Sequence, residues 1–159
     1  MTIIDFCKKY TDLNSEKAKE QMLRSHIKRT YCPVLEKRMM LQMMLDRAKA
    51  TSDDGIRYID MMVSKINYTL GMIVLYTDLT VDKKEIDGKE VGANYECYDA
   101  LISSGVLAPI CGCIGENEMQ ELSNINSMLI DNFEKTEGSL CGFLSRTMSF
   151  LGSVIKDVK

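Results

Sequence analysis

The fold is decided by the stretch IRYIDMMVSKINYTLGMIVLYTDL, Ile56 to Leu79. Ile59, Met62, Val63, Ile66, Leu70, Ile73 and Tyr76 recur at spacings of three and four, the period of one helix face. Met61, Met72, Val74 and Leu75 cover much of the remaining circumference. A helix that is apolar all round is one surrounded by other helices, so this segment predicts the central element of a bundle. Its uncharged part, Ile66 to Thr77 between Lys65 and Asp78, falls short of the roughly 18–20 apolar residues of a membrane span. Met72 to Val81 is rich in β-branched residues, so the final turns read either as helix or as a strand.

On the N-terminal side the same period predicts three helices. Thr2 caps a short helix to about Tyr10, with Asp5 in its first turn. Asn14 or Ser15 caps a second helix to about Arg29, with a narrow apolar face of Ala18, Met22, Leu23 and Ile27. Cys32-Pro33 breaks the chain, because proline pushes the preceding residue out of helical geometry and suits the first turn of a new helix. A third helix then runs from about Pro33 to Lys49. Leu35, Met39, Gln42/Met43 and Asp46 form one row, widened by Met40, Met44 and Leu45. Thr51-Ser52-Asp53-Asp54-Gly55 reads as a turn that caps the central helix.

On the C-terminal side, Asp82 to Ala93 is charged, and Asp87-Gly88 marks a loop or small hairpin within 82–93. Asn94 caps a helix to Ser104, with Gly105 at its left-handed exit. Val106 to Ile114 is a short apolar helix or turn around Pro109. A long helix begins at Glu116, with Gly138 as its breaker. Leu140, Phe143, Leu144, Met148, Leu151, Val154 and Ile155 predict a last amphipathic helix. The expectation is an all-α fold: an irregular bundle of six or seven helices in a single domain over 1–159, with 1–30 as a peripheral basic arm. The chain has 159 residues, a length that buries a core without help from metal or disulfide.

Catalytic and cofactor chemistry finds little footing. The one histidine, His26, sits in a basic helix end, where a solvated side chain is the simpler reading than a general base. Cys111-Gly112-Cys113, with Cys97 and Cys141, lacks the two-residue gap of zinc sites and is flanked by apolar residues, so core thiols are expected. Gly112 and Gly115 make no phosphate loop. Asp53/Asp54 and Glu116/Glu118 stand at helix starts, where the dipole explains them. The expectation is no enzyme, no cofactor and no metal. The start of the chain has no targeting pattern, so a cytoplasmic protein is expected.

Charge and methionine point to surfaces instead. Residues 1–50 hold 11 basic and 6 acidic side chains, and residues 51–159 hold 9 and 17. Such a split favours head-to-tail self-association or an acidic partner. Lys8, Lys9, Arg24, Lys28, Arg29, Lys37 and Arg38, with Tyr10 and Tyr31, make the first third basic. Glu16, Glu20 and Glu36 interleave with them, and nucleic acid needs a surplus of unpaired cations. Met39, Met40, Met43 and Met44 cluster within six residues. Methionine either fills an irregular core or lines an adaptable binding groove. The candidate interaction residues are therefore Arg24, Lys28, Arg29, Tyr31, Lys37, Arg38, Met39, Met40, Met43 and Met44.

Two stretches carry a family likeness. One is Ser25 to Lys37, with Thr30-Tyr31-Cys32-Pro33 and Lys37. The other is Tyr98-Asp99-Ala100-Leu101 to Gly105-Val106, continued by Ile114-Gly115-Glu116-Asn117-Glu118 and Met128-Leu129-Ile130-Asp131-Asn132-Phe133. In this order they resemble small helical proteins encoded among the structural genes of phages and prophages of Gram-positive bacteria. The likeness covers residues 20–135. Cys111, Cys113 and the methionine cluster depart from it. It implies a virion component or assembly factor, such as a head–tail or tail component or a tail-assembly chaperone. Its partners would be further copies or other virion proteins, and it implies no catalytic residue. The alternative is a small regulatory module that binds through the Met-rich helical surface.

Overall fold

A computed structural model describes residues 1–138. Seven helices carry the fold: α1 (Ile3–Asp12), α2 (Glu16–His26), α3 (Val34–Asp46), α4 (Met61–Tyr76), α5 (Asn94–Ser103), α6 (Leu107–Ile114) and α7 (Glu116–Thr136). Two antiparallel hairpins interrupt them, β1 (Lys49–Thr51) with β2 (Arg57–Ile59), and β3 (Lys83–Ile86) with β4 (Lys89–Gly92). The all-α expectation is therefore corrected to a mostly helical fold with two small two-stranded sheets. The last amphipathic helix expected beyond Gly138 lies outside the described residues.

Helix α4 is the centre. Asp60 caps it, accepting from the backbone N–H of Met62 and Val63 at 3.0 Å. Ile66, Leu70, Met72, Ile73 and Tyr76 are buried on several sides of it. It packs against α3 and α5, and α3 packs in turn against α7. The helix ends at Tyr76. The β-branched stretch after it is extended, and Thr77 bridges to Ile27 while Thr80 bridges to Thr2. The ambiguity over 72–81 thus resolves into helix to Tyr76 and extended chain beyond.

The N-terminal end of α1 is built by distant residues. The Ile3 N–H donates to the Thr80 carbonyl at 3.0 Å, and the Ile4 N–H to the Asp82 carboxylate at 2.9 Å. These satisfy donors that a first helical turn leaves without partners. Asp82 also receives the Cys97 thiol at 3.4 Å. Ile3, Phe6, Cys7 and Tyr10 of α1 belong to the core, and α1 packs on α5. The expected peripheral arm over 1–30 is corrected for α1. Helix α2 buries only Leu23 fully, in keeping with its narrow apolar face.

The first hairpin is the element the sequence hid. Ser52 to Gly55 closes it, with the Ser52 N–H donating to the Ile56 carbonyl at 2.9 Å and Gly55 at φ +77°. The second hairpin matches its turn signal. Asp87 and Gly88 both have positive φ, +52° and +72°, as a two-residue loop of matching twist requires. Gly105 and Gly115 also take positive φ where α5 and α6 end. Among the described residues no single helix is long and apolar enough to cross a membrane, and α5 and α6 meet at a bend of 86°.

Candidate functional site

Helix α3 has three faces with three different fates, and its side-chain spacing explains them. Residues four apart stack along one face. The row Lys37, Leu41, Leu45 is buried. The row Leu35, Met39, Met43 faces out, with Leu35 68% and Met39 64% exposed. Met40 and Met44 form the flank between them, half-buried against α4. Met39 and Met43, named from the sequence as interaction candidates, therefore lie on the surface, and the row containing a lysine lies inside.

Lys37 is 0% exposed, which corrects its assignment to an interaction surface. Its Nζ donates to the Glu118 carboxylate at 2.8 Å and also to Glu121. It stands 5.2 Å from the ring centroid of Tyr31. Glu118 is equally well satisfied. Its other oxygen accepts from the Tyr76 hydroxyl at 2.5 Å and from the Cys32 N–H at 2.8 Å. Burial works to raise the Glu118 pKa, but the donors Lys37, Tyr76 and Cys32 outweigh it and hold the carboxyl below its ordinary range. Burial likewise works to lower Lys37, and the two glutamates outweigh it, so its pKa is raised. Desolvation, then the Glu118 carboxylate, push the Tyr76 phenol far up. The cluster is closed, charged and fully hydrogen-bonded. It locks α3, α4, α7 and the Cys32 turn together and presents no reactive group.

The remaining candidate residues do not gather in one place. Lys28 and Arg29 leave the helical path after His26 and cross to the C-terminal end of α4. Lys28 Nζ donates to the Val74 carbonyl at 2.7 Å, and Arg29 Nε to the Leu75 carbonyl at 2.8 Å. Their backbone N–H groups also reach the Tyr76 carbonyl. Cations at the carbonyl end of a helix complement its dipole. Arg29 is further paired with Glu36 at 2.6 Å. Arg24 is exposed on α2 and pairs with Glu20 at 2.9 Å, away from α3. Arg38 and Tyr31 are exposed.

Three depressions surround α3. A shallow trough of about 670 Å³ runs along its outer row, lined by Leu35, Met39 and Met43 with Arg38 and Arg47. A second, of about 660 Å³, lies between α3 and α7, where Val34 and Arg38 meet Ile125, Met128 and Leu129. Met128 is 69% exposed. The third, of about 430 Å³, is more enclosed and lies between α3 and α4, with Met40, Met43 and Met44 on one wall and Leu70, Gly71 and Val74 on the other. Gly71 permits the close approach there. A Cβ on it would stand 2.6 Å from the Met40 sulfur and 3.2 Å from Met44 Cγ.

The sequence missed Glu118 and Glu121 as partners of Lys37, and Tyr76 as a donor to Glu118, because the two glutamates lie some eighty residues away from Lys37 in the chain. The cysteines are spread through the fold. Cys7, Cys32 and Cys97 are buried, while Cys111 and Cys113 are half-buried on α6. Burial pushes the Cys97 thiol up to about 11, so it is an unreactive core group. Among the described residues no three metal-binding side chains gather at one point. His26 holds Asp78 through Nδ1 at 2.7 Å and meets the Phe6 ring edge-on at 5.2 Å. No family model matches the chain, and comparison with curated proteins and with solved structures found no match.

Proposed function

We infer that this protein works without catalysis, by protein–protein contact through the outer row of α3 and its continuation onto α7. The observation that carries this reading is the exposed apolar strip of Val34, Leu35, Met39, Met43 and Met128, flanked by Arg38 and Arg47. Contiguous exposed apolar surface rimmed by polar groups marks interaction sites. Methionine suits such a surface because it adapts its shape. The basic first fifty residues and the acidic remainder favour association of like chains, head to tail. With the likeness to phage-encoded helical proteins, this supports a structural or assembly role, as a head–tail or tail component or a tail-assembly chaperone, in the host cytoplasm or the virion.

Size-exclusion chromatography with light scattering at low and high salt tests the reading. The expected result is a concentration-dependent oligomer that weakens with salt and is lost in Leu35→Glu/Met39→Glu. A strict monomer at high concentration under both conditions removes it. The methionine composition of the strip also favours a second reading, a regulatory module that binds a different protein. Arg38→Glu separates the two, since self-association depends on the charge of this face only in the first.

A further inference from the structure

The more enclosed groove between α3 and α4 shares Met43 and Arg47 with the outer strip and runs from there along α4. We propose that it binds a free single-chain anionic amphiphile, with the alkyl chain between the methionines and α4 and the headgroup at Arg47. The groove walls are apolar, Met40, Met43 and Met44 against Leu70, Gly71 and Val74. Its volume of about 430 Å³ is of the size that holds small molecules.

Shape selects a single chain. Asn67 donates to the Met44 carbonyl at 3.3 Å, and the Met40 sulfur lies over Gly71, so α3 and α4 run antiparallel and close on each other at the groove floor. From Asn67 to Val74 the floor spans seven residue steps along α4, about 10 Å at 1.5 Å per step. A whole helix is itself about 10–12 Å across and does not fit between walls that touch at a glycine. An alkyl chain does.

Charge selects the headgroup. Arg47 lines one end of the groove, and Lys28 and Arg29 line the other. Arg29 is already paired with Glu36. The Arg47 side chain has no ion-pair or hydrogen-bond partner among the described residues, and Lys28 has only the Val74 carbonyl. Each end therefore offers a cation with no acid against it, and no carboxylate lines the groove. The chain's own residues 139–159 have the wrong sign for this mouth, with Arg146, Lys156 and Lys159 against Asp157.

Isothermal titration calorimetry of the full chain with dodecanoate, kept below its micellar concentration, tests the proposal. One molecule is expected to bind per chain. Dodecyltrimethylammonium, with the same chain and the opposite charge, is expected to bind at least about tenfold more weakly, and Arg47→Glu to weaken dodecanoate by a similar factor. Lys28→Glu reports on the other mouth, and Lys17→Glu, on the exposed face of α2, is expected to change nothing. Equal affinity for the two amphiphiles, uptake of many molecules per chain, no binding, or unchanged affinity in Arg47→Glu would overturn the proposal. Light scattering on the same samples reads self-association separately, so loss of the oligomer and loss of the ligand are distinguishable.

Discussion

Lys37 and Glu118 depend on each other because neither has water to fall back on. Removing one partner of a buried pair strands the other charge, at a cost of about 3–5 kcal/mol. Lys37→Met should lower stability in urea by about that amount; adding Glu118→Gln, which removes the stranded charge and keeps an acceptor for the Tyr76 hydroxyl and the Cys32 N–H, should recover part of it, whereas adding Glu118→Leu should not, because those two buried donors lose their acceptor. The pair also sets a pH window. The Glu118 pKa is lowered in the folded chain, so its contribution is present above the ordinary carboxylate value of about 4.3 and is lost as pH falls through the folded value. The Lys37 pKa is raised, so its contribution is present below about 10.4 and is lost as pH rises through the folded value. Thermal melts from neutral to acid pH should show a shallower decline in Glu118→Gln than in the parent, from a lower starting point. An identical slope would mean that Glu118 takes up no proton on unfolding.

Among the elements, α4 and the second hairpin have single-residue supports. Asp60→Ala removes the acceptor for two N–H groups at the start of α4 and should cost about 1 kcal/mol in a thermal melt monitored by circular dichroism. Gly88→Val places a β-branched residue at φ +72°, so it should open the 83–92 hairpin while leaving helix content intact. Amide exchange across Lys83 to Gly92 reads this directly. The sequence displayed these elements unevenly. Helical period located α1, α5, α6 and α7 closely, and Asp87-Gly88 located the second hairpin, because these signals are local; the start of α4 was read five residues early, with Thr51 to Gly55 in place of Asp60 as its cap. The first hairpin was hidden for two local reasons. Ser52-Asp53-Asp54-Gly55 serves a turn as well as a helix cap, and Ile59 falls in phase with the α4 row. Strands of three residues are too short to show a period of two. The orientation of α3 was not legible for a non-local reason. A lysine reads as exposed unless its carboxylate partners are known, and these lie on α7. The flanking methionine rows are equally apolar on the inner and outer sides, so hydrophobicity alone could not choose between them. The candidate surface was therefore legible as a face of α3, but with Lys37 on the wrong side of the helix.

At the scale of the molecule, the core is assembled from segments far apart in the chain. Ile3 and Ile4 take their backbone partners from Thr80 and Asp82, and Asp82 in turn receives the Cys97 thiol on α5. The start of the chain has no complete docking place until nearly a hundred residues exist. A ribosome therefore releases α1 long before its seat is built. Phe6 and Ile3 must wait in the open, where a chaperone or a neighbouring nascent chain can reach them. A fragment ending at Gly92, before α5, should show helical circular dichroism without a cooperative melt, and restoring residues up to Gly138 should bring the transition back. The first helix made has to wait for the fifth before it can dock.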